Sequence, residues 1–71
     1  MLPTINSLAQ QLRNIVLQGT HRGVWNLAID ILPERVVLRG ETDTFYAKQL
    51  AQESVLKVLP LVSVENAIQV A

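Results

Sequence analysis

The sequence predicts an α+β fold, a two-layer sandwich with two helices on one face of a three-stranded mixed sheet. Three observations carry this reading. Residues 5–18 and 44–58 repeat apolar side chains at helical spacing. Residues 24–31, 35–40 and 62–70 alternate with a period of two. Their order is α-β-β-α-β, and the apolar face of the sheet needs both helices to cover it. At 71 residues the chain makes one small domain that buries roughly 60% of its unfolded surface.

The first helix places Ile5, Leu8, Leu12, Ile15 and Val16 on one side, with Asn6, Gln10, Arg13 and Asn14 between them. Thr4 suits its N-cap, and Gly19 suits the C′ glycine that ends it. Gly19 to Gly23 then reads as a loop that holds His21, the one histidine. In the first strand Trp25, Leu27, Ile29 and Ile31 share the core side, opposite Val24, Asn26, Ala28 and Asp30. Pro33 presets φ for a turn at Leu32–Arg35. Val36 and Leu38 resume the apolar face, and Gly40 closes the strand. The two strands pair as a hairpin.

Thr42, Asp43 and Thr44 are successive N-cap candidates, with Asp43 or Thr44 preferred. The second helix buries Ala47, Leu50, Ala51, Val55 and Val58, and its two alanines let it sit close to the sheet. Pro60 stops it. Val62, Val64, Asn66, Ile68 and Val70 then alternate as a third strand. The first strand carries the longest apolar face and is expected at the centre of the sheet. Asn66 has core parity, so its amide must find partners, and nearby backbone is the expected one.

Composition excludes several classes of function. There are no cysteines, so disulfides and thiolate metal sites are ruled out. Six basic residues balance six acidic ones, which leaves no long-range field to draw the chain to nucleic acid or to an anionic bilayer. The outward sheet face lacks the aromatic platform of an RNA-binding domain. No apolar run reaches the length of a membrane span or a signal peptide. The chain as written therefore reads as cytoplasmic, and as periplasmic or membrane-associated if it is one domain of an exported parent. His21 has no nucleophile or acid motif beside it and reads as a solvated loop residue. No metal spacing and no phosphate loop appear. The expectation is a non-enzyme without cofactor.

The spacing resembles that of the BON domain, the module of bacterial osmotically inducible and nodulation proteins. The likeness rests on Ile31, Val36, Leu38 and Gly40, on Ala51 and Val58, and on Val64, Asn66, Ile68 and Val70. It covers about two-thirds of the chain. Two departures stand out. Glu34 occupies a turn where the family has glycine, and Pro60-Leu61 replaces its Gly-Val. Pro33 and Pro60 supply turns by another route. The resemblance implies a module that binds phospholipid or docks at a membrane-associated protein, in some cases under osmotic stress.

The residues left free by that pattern are the candidates for contact. Phe45 and Tyr46 lie in the first turn of the second helix, where only part of the turn faces the sheet, and Phe45 is the one expected outside. Lys48 follows them with an amine for a phosphate. Arg35 and Arg39 lie on the mixed-charge face of the sheet. Contact is expected through the Phe45–Lys48 corner or through that face. The competing reading is a protein-interaction or self-association module with no lipid binding, using an open strand edge.

Overall fold

Helices and strands form where the two periodicities place them. The computed structural model describes residues 5–71. The expected cap Thr4 lies outside the described residues. In chain order the elements are α1 (Ile5–Gly19), β1 (Val24–Ile31), β2 (Arg35–Thr42), α2 (Phe45–Val58) and β3 (Ser63–Val70). β1 pairs antiparallel with β2, and β2 pairs parallel with β3, so the sheet is mixed and its order is β1-β2-β3. The central strand is therefore β2, where the length of the apolar face pointed to the first strand. The reason is visible in β2 itself. Val36, Val37 and Leu38 are all buried, and apolar burial on both faces is the mark of an inner strand.

Helices cover one face only. α1 packs on β1 and on α2, and α2 packs on β3. The core between the layers is aliphatic, built from Leu12, Val16, Val24, Leu27, Val36, Leu38, Val55 and Ile68, with Ala47 and Ala51 at the close approach of α2. Along α2 the buried stripe runs through Ser54 and Val55, whereas Val58 is exposed. Leu59, one position on, packs against the core in its place, and the helix ends there before Pro60.

The start of α2 resolves the choice of cap. Thr44 is extended, and its side chain accepts from the Ala47 N–H at 3.0 Å. At the other end of the core, α1 closes differently from expectation. Gly19 is still helical. His21 takes the left-handed position at φ 52°. Its N–H reaches the Gln18 carbonyl at 3.1 Å, and the Arg22 N–H reaches that of Leu17 at 2.7 Å. This bond pair is a Schellman cap. Gly19 serves packing instead, because a Cβ there would lie on Ser54 Oγ of α2. Gly19→Ala is expected to cost about 1 kcal/mol, the clash outweighing the helix propensity that alanine gains. Adding Ser54→Ala should return part of that loss, and a double-mutant cycle in urea measures the coupling.

A bulge in β1 overturns one further expectation. The register runs Val24↔Thr42 and Trp25↔Glu41, then resumes at Ala28↔Arg39. Asn26 and Leu27 together therefore face Gly40. Asn26 is left-handed at φ 52°, a conformation its short polar side chain tolerates. Its amide also donates to Glu41 Oε2 at 2.7 Å. The extra residue inverts the alternation upstream of it. Val24 is buried, and Trp25 turns to the outer face.

Candidate docking surface

Two surfaces carry the residues singled out from the sequence, and they lie in different layers. The outer sheet face is solvated and charged. Arg39 meets Asp30 at 2.8 Å, and Arg35 meets Glu65 at 3.6 Å. Both pairs are diagonal in the sheet, since the register partners of the two arginines are Ala28 and Ser63. Between them Val37 is buried, with Asp30 and Glu65 beside it in register and Arg35 and Arg39 two residues away on the same face. Arg35 and Arg39 are thus already ion-paired within the chain. Exposed pairs of this kind contribute about 0–1 kcal/mol each, so the face is better described as a soluble cover than as a free basic patch.

The second surface is the end of the domain where α1 finishes and α2 begins. Phe45 is 76% exposed, Tyr46 71% and Trp25 42%. These are the only aromatic residues of the chain, and none of them enters the core. Tyr46 and Trp25 border one cleft of about 400 Å³ with His21, Arg22 and Asp43. Phe45 lies on the other flank of the helix start, in a groove with Lys48, Gln49, Gln52 and Asn66. Lys48 is half-buried. Sequence reasoning named Phe45, Tyr46 and Lys48 here but missed Trp25 and Arg22. The signal for Trp25 was the pair Asn26 and Gly40, a residue that tolerates left-handed backbone opposite one without a side chain.

Asn66 is structural. Its Nδ2 donates to the Lys48 carbonyl at 2.7 Å, and its Oδ1 accepts from the Ile68 N–H at 3.3 Å. The amide therefore ties α2 to β3 and satisfies its own half-buried polar atoms. His21 is exposed, as expected of a loop residue. Among the described residues no group of three or more His, Cys, Asp or Glu is placed to hold a metal ion. No described helix is long and apolar enough to cross a membrane. The architecture defines a small α+β domain with an open three-stranded sheet. No family model, curated protein or solved structure matches the chain.

Proposed function

We infer that the chain is a non-catalytic docking module whose aromatic end meets the headgroup region of a phospholipid membrane. One observation carries the reading. A chain with a thin core leaves its three aromatic side chains outside, all at one end, where Arg22 and Lys48 supply cations. Burying an aromatic ring in the core would stabilise so small a fold, so leaving all three in water has a cost that an interface would recover. Tyr and Trp, with an apolar body and a polar tip, suit the boundary between acyl chain and water. The resemblance to BON domains points the same way.

Electrostatics sets the strength. Asp43 and Glu41 share this end with the cations, and the net charge is zero. Attraction to anionic lipid therefore adds little, and binding rests on apolar burial. Trp25 is the sole tryptophan, which makes it a built-in probe. Vesicles of phosphatidylcholine, alone or with phosphatidylglycerol, should shift its emission to the blue and carry the chain upward in flotation. Replacing Phe45 and Tyr46 by alanine should lower partitioning at least tenfold, since each ring contributes about 1.5–3 kcal/mol when buried. Unshifted emission and absence of flotation with both compositions would overturn the reading.

A further inference from the structure

β3 forms one edge of the sheet and is paired along its whole length on one side only. Its register with β2 is unbroken from Arg35↔Ser63 to Thr42↔Val70. The N–H of Ala71 donates to the Thr42 carbonyl at 2.8 Å. Counting back in twos, residues 69, 67, 65 and 63 also turn their backbone groups to β2. Val64, Asn66, Ile68 and Val70 therefore point theirs away from the sheet. Long, regular edges are normally blunted by lysine, proline, a bulge or shortness. β3 has eight residues, no lysine, arginine or proline, and Glu65 as its one charge. The opposite edge, β1, carries the bulge at Asn26 and Leu27 and the ion-paired Asp30. Beyond the charge of Glu65, the guard on β3 among the described residues is the 3.3 Å bond from the Ile68 N–H to Asn66 Oδ1, which is long for a hydrogen bond.

We propose that the β3 edge is a homodimer interface, where β3 of a second copy pairs antiparallel across a two-fold axis at Ala67. Residues that oppose one another must share a face, which restricts the axis to a residue position. An axis at Ala67 uses the whole segment from Ser63 to Ala71. It sets Val64 against Val70 of the second copy and Asn66 against its Ile68, as hydrogen-bonded pairs. It sets Glu65 against Gln69 of the second copy, a carboxylate facing an amide donor, and Ala67 against itself. An axis at Asn66 would place two amides face to face and leave Val70 opposite residue 62, outside the strand. No register through Ala67 opposes like charges, and zero net charge removes repulsion between copies. On the helical side, Gln49 and Gln52 beside Asn66 would meet their counterparts across the axis. Trp25 and Tyr46 stay accessible at the end of each copy. The interface stands on the strand edge and not on lipid docking, so either can fail alone.

A single cysteine tests the axis, because the chain has none of its own. Non-hydrogen-bonded antiparallel pairs hold their Cα atoms about 4.5 Å apart, within disulfide reach. Ala67→Cys should therefore form a disulfide-linked dimer under mild oxidation. Ala28→Cys, exposed on the outer face of β1, is the comparison. With the full chain at about 0.5 mM and no lipid, Ala67→Cys should cross-link roughly tenfold faster than Ala28→Cys. Sedimentation equilibrium of the unaltered chain should show a monomer–dimer equilibrium in the same range. A strict monomer at that concentration, or equal cross-linking of the two variants, would overturn the proposal.

Discussion

Gly40→Ala should cost about 3 kcal/mol, from strained backbone and overpacking together. Gly40 has φ of +156°, in a region that residues with a side chain rarely adopt. It also sits opposite the β1 bulge. A Cβ there would meet the Trp25 carbonyl oxygen at 3.0 Å, Val24 Cγ1 at 3.2 Å and Leu27 Cα at 3.3 Å. Two of these three neighbours are backbone atoms of the bulge, held on one side by the hairpin register and on the other by α1. They cannot swing aside as a surface side chain would. A chain of this length has a total stability of roughly 4–10 kcal/mol, so the substitution removes a large share of it. Asn26→Gly on the other side of the bulge should change stability by less than about 1 kcal/mol. Glycine accepts the left-handed position, which offsets the lost bond to Glu41. Urea denaturation of both variants checks the contrast. A loss at Gly40 no greater than that at Asn26 would mean that the bulge yields, and that Trp25 is not held outward by it.

That bulge also marks the limit of what the sequence made legible. The element order, the helical layer and the mixed sheet follow from periodicity because each element is long enough to show its repeat. The phase of β1 does not follow, because counting in twos runs straight through Asn26 and assigns Trp25 to the core. The central strand was legible in principle. The consecutive Val36, Val37 and Leu38 signal burial on both faces, but counting in twos assigns Val37 to the solvated side. Phe45 was readable as a surface residue because adjacent positions in a helix start cannot both face the sheet, but that argument leaves room for Tyr46 inside, and Tyr46 is exposed as well. The placement of Tyr46 and Trp25 along one cleft, and the pairing of Arg35 and Arg39 with acids two residues off register, depend on the register itself. No local pattern in the chain encodes that register.

The two faces of β2 should respond very differently to the same kind of truncation. Leu38 is fully buried in the interlayer core. Leu38→Ala should cost about 3–4 kcal/mol through lost burial and a cavity that α1 and α2 cannot close. Val37 is its neighbour and nearly as buried, but it faces the other way. Its neighbours on that face are Asp30 and Glu65 in register on the flanking strands, with Arg35 and Arg39 along its own. The heads of those four residues are about half exposed and joined only by the two surface pairs. Their stems can settle onto an alanine, so Val37→Ala should cost about 1 kcal/mol. In a domain this small the difference amounts to roughly 10–20 °C in Tm, which thermal denaturation by circular dichroism resolves. The contrast also bears on docking. A soft, self-paired cover on the outer face offers a partner little apolar area, in contrast to the aromatic end with Phe45 and Tyr46. Equal losses at Val37 and Leu38 would instead show the outer layer to be packed as rigidly as the core. Arg35 and Arg39 would then belong to a fixed surface rather than to a mobile charged cover.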